Sequence, residues 1–284
     1  MNKETKRLIL VTGATGRQGG AVVDCLVAHG GFQVRALSRT PEGTQAAQLI
    51  ARGVEVVRGD LEDSESLKAA AKGAWGVFSV QDPWRHGVVA EIRQGMALAD
   101  AACAAGVEHF VYTSVATAER LTNVPHFESK GVIEKYIDRV GLNYTVIRPT
   151  FFMDMLVRRS EPRAAQIWGM LRAALGKKRS IQLISVHDIG RVAVEAFAEP
   201  KAFARSVIEL AADELTMPEL DRLFSKVSDH KSARFAIPLK LVGLVNPEAR
   251  INFDWIGREG WHVDIEATRK RFPWLASTAT WLQQ

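Results

Sequence analysis

Ten residues near the start of the chain, Val11-Thr12-Gly13-Ala14-Thr15-Gly16-Arg17-Gln18-Gly19-Gly20, have the types and spacing that bind an anion. An apolar run, Leu8 to Val11, precedes them, and an amphipathic segment, Ala21 to Ala28, follows. A buried strand feeding a glycine turn and then a helix gathers free backbone N–H groups and the positive end of a helix dipole at one point, which suits a pyrophosphate. One glycine permits the sharp turn, one lets backbone approach phosphate with no Cβ in the way, and one lets the helix pack closely on the strand. The spacing is Gly-x-x-Gly-x-x-Gly, not the commoner Gly-x-Gly-x-x-Gly. A flexible surface loop carries similar residues; the strand before and the helix after are what favour binding.

Such a turn needs a sheet to position it. Phe32 to Leu37, Val54 to Val57, Ala74 to Val80, His109 to Ser114 and Asn143 to Ile147 read as further strands. Helical segments alternate with them: Thr44 to Ala51, Asp63 or Ser64 to about Lys72, Gly87 to Ala105, and His126 to Val140. Strands that are nearly continuous apolar runs, separated by helices, are the signature of a parallel sheet covered on both faces. The predicted fold is α/β: a doubly wound, Rossmann-type parallel sheet with a smaller C-terminal substrate-side lobe. Pro149 cannot continue a central strand, so the chain is expected to leave the sheet there. Ile181 to Val186 reads as extended, His187 to Ala198 as an amphipathic helix and Ser206 to Leu210 as a late strand. The expected division gives 1–154 and 181–212 to the nucleotide-binding domain. The smaller lobe takes 155–180 and 213–284, with Trp255, Trp261, Trp274 and Trp281 in it.

Composition excludes several classes. Apolar residues make up 47% and charged residues 24% of the 284 positions, the balance of an ordinary soluble domain. The net charge of +5, from 37 basic and 32 acidic residues, includes clusters at Arg158-Arg159, Lys177-Lys178-Arg179 and Arg269-Lys270-Arg271. These are short and lack a nucleic-acid-binding motif, so they read as solvated surface and no nucleic-acid partner is expected. Cys25 and Cys103 sit in apolar helical patterns and read as small core residues in a reducing compartment, not as a disulfide or metal pair. The charged start, Met1 to Arg7, and the short run after it make no secretory signal, and no apolar stretch approaches the roughly 18 residues of a membrane span. A cytoplasmic protein without a membrane partner is expected; oligomeric state is left open.

The chain resembles the NmrA-like proteins, an atypical branch of the short-chain dehydrogenase/reductase superfamily. The resemblance rests on the glycine stretch, then Ser38-Arg39, Arg58-Gly59-Asp60-Leu61 and His126-Phe127-Glu128-Ser129-Lys130-Gly131. It continues through Arg148-Pro149-Thr150-Phe151-Phe152 and Ser185-Val186-His187-Asp188-Ile189-Gly190, in the family's order and over about two thirds of the chain. It implies a nicotinamide dinucleotide held by Gly13, Ala14, Thr15, Gly16, Arg17, Gln18 and Gly19, with Asp60 and Leu61 flanking the adenine. Val80, Gln81, Ser114 and Thr150 lie at strand ends, where open sheets bind ligands. By the same resemblance Lys130 hydrogen-bonds the nicotinamide ribose, and Phe151 and Phe152 lie beside the nicotinamide. The family includes both NADPH-dependent reductases and redox sensors that bind partner proteins.

The residue chemistry fits a phosphorylated cofactor. An acidic side chain at the end of the second strand accepts from the ribose hydroxyls of NAD and would repel a 2′-phosphate. That place holds Arg39, with no carboxylate before Glu42, and a guanidinium forms paired hydrogen bonds to phosphate. NADP(H) is therefore expected, with Arg17 reaching the same phosphate or the pyrophosphate. Arg93 is a further candidate for a phosphate or substrate contact. One departure concerns catalysis. The superfamily's core members place a tyrosine four residues before the lysine as proton donor; here that place holds His126. Residues i and i+4 share a helix face, so His126 or a water is the candidate donor beside Lys130, with a helix-start histidine making a local hydrogen bond as the competing reading. Two functions follow: hydride transfer to a small apolar or aromatic acceptor such as a quinone, enone or iminium, or NADP(H) sensing without turnover, coupled to a protein partner. Trp84, Phe151, Phe152 and the late tryptophans are candidates for an apolar wall, with ordinary core as the competing reading.

Overall fold

The structure, a computed structural model, describes residues 6–157, 162–227 and 235–283. The Arg158-Arg159 cluster and most of the charged start lie outside the described residues. The chain begins with β1 (Arg7–Val11), α1 (Arg17–His29), β2 (Phe32–Ser38), α2 (Thr44–Ala51), β3 (Glu55–Arg58), α3 (Ser64–Ala71) and β4 (Gly76–Ser79). It continues through α4 (Pro83–His86), α5 (Val88–Ala104), β5 (His109–Thr113), α6 (Pro125–Arg139), β6 (Tyr144–Pro149) and β7 (Phe151–Phe152). Then follow α7 (Pro162–Leu175), β8 (Ser180–Ile184), α8 (Val186–Ala198), α9 (Pro200–Phe203), β9 (Ser206–Leu210) and β10 (Asp213–Thr216). The last helices are α10 (Met217–Lys226), α11 (Leu239–Val245), α12 (Pro247–Arg258), α13 (Ile265–Arg271) and α14 (Thr278–Trp281).

Seven strands form one sheet in the order β3-β2-β1-β4-β5-β6-β9. The pairings from β3 through β6 are all parallel. The order reverses between β1 and β4, the switch point at which doubly wound sheets bind ligands. Every residue of β4 and β5 is buried, as strands covered on both faces require. The chain forms two compact units: Met1–Ser114, Ser129–Arg148 and Ile189–Ile208 in the first; Val115–Glu128, Pro149–Asp188 and Glu209–Gln284 in the second.

Within the first unit, glycines let helices approach closely. A Cβ on Gly19 of α1 would lie 2.3 Å from the Gly13 carbonyl oxygen, so helix and turn meet backbone to backbone. A Cβ on Gly95 of α5 would lie 2.7 Å from Ile133 of α6. That contact sets α5 and α6 in register one turn away, where Glu91 meets Ser129 and Lys130.

The second unit carries a three-stranded sheet, β10-β8-β7, with β10 antiparallel and β7 parallel to β8. Pro149 does end β6, and Phe151 and Phe152 pair with Leu183 and Ile184 instead. Its core is aromatic: Trp255 lies 5.0 Å from Phe127 and 5.3 Å from Trp261 between ring centroids. Of the late tryptophans, Trp255 and Trp261 are buried and Trp274 and Trp281 are half-buried.

One reading of the sequence needs correction. Cys25 is buried, but Cys103 is exposed. The buried stripe of α5 runs through Glu91, Gln94, Gly95, Leu98, Ala99, Ala101 and Ala102, and Cys103 falls outside it. In an alanine-rich helix both faces look apolar, so composition hid which side faced water. Among the described residues no helix is long and apolar enough to cross a membrane.

Candidate functional site

The turn after β1 has the geometry of an anion cradle. Gly13 adopts φ +59°, where an L side chain is strained, and a Cβ there would meet Val80 Cγ1 at 2.7 Å. Gly16 donates its N–H to the Gly13 carbonyl at 2.8 Å and serves as the N-cap of α1. No side chain caps that helix and its first turn carries no acid, so its leading N–H groups and dipole face outward unopposed. Thr12 ties the turn to β4, accepting from Val80 N at 2.9 Å. Ala14 is buried, and Thr15 and Arg17 are exposed. Gln18 accepts from Thr113 Oγ1 at 2.6 Å, linking the first turn of α1 to the end of β5.

At the outer edge, Arg39 is exposed at the end of β2. Asp60 closes a local turn: its Oδ1 accepts from Glu62 N at 3.0 Å, and its own N–H donates to Ser66 Oγ at 3.0 Å. Leu61 is half-buried against the core. Arg93 does not stand free for a ligand, since it donates to Glu62 Oε2 at 2.8 Å.

At the carboxyl ends of β4 and β5, polar groups are buried without partners. Gln81 is 5% exposed; its Nε2 donates to Ser79 Oγ at 2.9 Å, while its Oε1 has no partner among the described residues. Ser114 is 3% exposed and its Oγ is likewise unpartnered. Orphaned buried polar atoms are rare and call for an explanation. Together with the uncapped helix and the glycine cradle, they fit a ligand that carries a phosphate at one end and hydrogen-bonding groups at the other, as a nicotinamide dinucleotide does.

Lys130 is buried. Its Nζ donates to Glu91 Oε1 at 2.7 Å, and Glu91 is fully buried. Ser129 Oγ donates to the other oxygen of the same carboxylate. The ring of Tyr112 lies beneath the ammonium, 5.9 Å from Nζ to centroid. An ammonium has three donors, of which Glu91 takes one, and a tenth of the side chain is exposed. The Tyr112 hydroxyl is buried without a partner among the described residues, and burial raises its pKa well above the ordinary phenol range, helped by the Glu91 and Glu134 carboxylates. It is no ready proton donor.

The other sequence candidates lie in the second unit. His126, in the first turn of α6, is buried and its Nδ1 lies 3.1 Å from Glu248 Oε1. His126 and Lys130 thus engage different carboxylates. Thr150 is buried, and its N–H and Oγ1 both donate to Leu210 O, at 3.0 and 3.2 Å. Phe151 is buried, 6.5 Å from Trp261 between centroids, and Phe152 is half-buried. Trp84, by contrast, belongs to the first unit and is 43% exposed.

Two charged residues near these groups escaped the sequence reading, Glu91 and Glu248, and a third, Arg58, was quoted in a motif but given no role. Only Glu91 left a usable signal, because Glu91, Gln94, Gly95, Leu98 and Ala102 trace one helix stripe. A carboxylate on that stripe must be buried and therefore paired.

Comparison with known proteins adds the following. The model of the NmrA-like family matches residues 5–253. An NmrA-like family domain-containing oxidoreductase of Aspergillus hancockii, hkm9, is 34% identical over 252 residues, 81% of this chain and 75% of its own. Among solved structures, the triphenylmethane reductase of Citrobacter sp. complexed with NADP(H) superposes with a TM-score of 0.79 at 24% identity, covering 98% of this chain and 99% of its own. NmrA, a negative transcriptional regulator, in complex with NADP, reaches a TM-score of 0.75 at 19% identity, covering 99% and 95%.

Proposed function

Given that the chain belongs to the NmrA-like family, we propose that it is an NADPH-dependent reductase acting on an apolar, aromatic acceptor such as a quinone, enone or iminium. The observation that carries the reading is Lys130. A buried ammonium is costly unless it is paired; Glu91 pairs this one through one of its three donors and a tenth of the side chain stays exposed, so a ligand's hydroxyl groups can meet the others. The relative named an oxidoreductase and the similar reductase crystallised with NADP(H) support the same class of chemistry.

When bound, the nicotinamide supplies the hydride, and the residues of this chain supply position, charge and a proton. The uncapped N-terminus of α1 holds the pyrophosphate, with Gly13 and Gly16 keeping side chains out of its way. Arg39 and Arg17 hold the 2′-phosphate, and Asp60 and Leu61 border the adenine. Gln81 and Ser114 offer their orphaned atoms to the nicotinamide end. Lys130 binds the ribose hydroxyls and stabilises negative charge developing on the acceptor. A water, or His126 as the family resemblance implies, is the proposed proton donor, and the roles of Thr150, Phe151 and Phe152 rest on that resemblance alone.

A second reading is an NADP(H) sensor that engages a protein partner without turnover. His126 in place of the tyrosine, with one ring nitrogen already beside Glu248, favours it. Mixing protein with NADPH and a panel of quinones, enones and iminium dyes while following the reduced-cofactor absorbance separates the two. Acceptor-dependent oxidation that falls at least tenfold in Lys130→Ala supports the reductase. Tight NADPH binding with no oxidation by any acceptor overturns it in favour of the sensor.

A further inference from the structure

The edge that carries Arg39 holds a second arginine. β2 and β3 run parallel with Ser38 opposite Arg58, and Gly59 N–H donates to Ser38 O at 3.0 Å. The two strands therefore release their next residues at the same end of the sheet. Arg58 reaches across this gap, its Nη1 donating to the Arg39 carbonyl at 3.1 Å. Its Nη2 is bonded to Glu42, in the loop before α2. Hydrogen bonds from the loop backbone and from the Arg58 guanidinium hold the Glu42 carboxyl below the ordinary carboxylate range. Both side chains of this pair are well exposed, 64% and 72%.

The geometry points to Arg58 as a specificity-determining residue for the adenosine 2′-phosphate, with Glu42 occupying its guanidinium until that phosphate arrives. This rests on the reading that NADP(H) is the cofactor and that Arg39 meets its phosphate. A carboxylate and a phosphomonoester are interchangeable partners for a guanidinium fork, both offering paired oxygens. They differ in charge: a phosphomonoester carries roughly −1.5 to −2 at neutral pH, a carboxylate −1. An exposed ion pair is held weakly, so the dianion displaces Glu42 at little cost. A bare 2′-hydroxyl is uncharged and leaves the pair intact. Glu42 thus acts as an internal competitor felt by NADP(H) and not by NAD(H).

Arg58 contacts no part of the glycine cradle in this arrangement, so its loss should leave the shared portion of the dinucleotide untouched. All three side chains are solvent-exposed, and replacing them leaves the core as it is.

Calorimetric titration of wild type, Arg39→Gln, Arg58→Gln, Glu42→Gln and Glu42→Gln/Arg58→Gln with NADPH and with NADH tests the idea. Arg58→Gln should weaken NADPH binding about tenfold, the scale of one lost charged hydrogen bond, and change NADH binding less than about twofold. Glu42→Gln should tighten NADPH about threefold, in keeping with a weak surface pair, and leave NADH unchanged. In the double variant that gain should vanish, because Glu42 acts only through Arg58. If Arg39→Gln lowers the NADPH-to-NADH preference but Arg58→Gln does not, the inference is overturned while the cofactor reading survives. If neither arginine changes the preference, the cofactor reading of this edge fails. Tightening by Glu42→Gln that persists without Arg58, or no tightening at all, overturns the competitor role of Glu42.

Discussion

Replacing Lys130 by methionine tests the buried pair directly. The change keeps side-chain length but removes the ammonium from Glu91, a fully buried carboxylate left with the Ser129 hydroxyl as its one remaining partner among those described. Removing one member of a buried ion pair costs about 3–5 kcal/mol, because the other charge is left uncompensated. Glu91→Gln keeps an acceptor for Ser129 but leaves the ammonium facing an amide. Since Lys130 retains a tenth of its surface in water and the Tyr112 ring beneath it, that loss should fall near the lower end, about 3 kcal/mol. The double variant removes both charges together and should return to within about 1 kcal/mol of wild type. Urea unfolding is the assay, with any separate transition of the second unit fitted independently. At a slope of about 2 kcal/mol per molar, the single variants lower the midpoint by about 1.5–2.5 M and the double variant by about 0.5 M or less. Losses that simply add in the double variant would refute the claim that these two charges exist for each other.

Two further outcomes follow from the first unit. Gly19→Ala places a Cβ 2.3 Å from the Gly13 carbonyl and 2.5 Å from the Thr12 carbonyl, so α1 must move off the turn. It should cost about 1–3 kcal/mol and weaken NADPH binding at least tenfold, and a variant with wild-type melting and affinity would show that the helix does not dock there as described. His109 is buried between Asn143 Nδ2, 3.1 Å from its Nδ1, and Thr145 Oγ1, 2.8 Å from its Nε2. Burial lowers its pKa from 6.5 to about 4. The folded state thus favours neutral imidazole, so this stabilisation is complete above pH 6.5 and is lost as pH falls from there toward 4. It amounts to about 3 kcal/mol at most. Urea midpoints at pH 7.5 and 4.5 should differ by less in His109→Gln than in wild type, and an equal difference would count against the assignment.

Much of the frame was legible in the chain itself. The second helix lies at Thr44–Ala51 as its pattern indicates, and the strand–helix alternation through β6 follows the apolar runs closely. Parallel strands buried on both faces write themselves as continuous apolar segments, and glycine spacing marks the turn because few other residues tolerate that backbone. Cys103 misled because an alanine-rich helix offers little contrast between its faces. Lys130 could be placed on a helix from sequence, but not inside the protein: its burial depends on Gly95 letting α5 approach α6.

Local chemistry alone therefore decided the order of elements, the anion-binding turn and the absence of an acid at position 39. Those properties depend on neighbours within a few residues, and the chain records them directly. Only tertiary structure joined Glu91 to Lys130 across 39 positions, Arg58 to Glu42 across 16 and His126 to Glu248 across 122. Each pair is made by segments that the fold brings side by side, two helices for Glu91 and Lys130 and for His126 and Glu248, a strand end and a loop for Arg58 and Glu42. Charge complementarity acts through that space, not along the backbone.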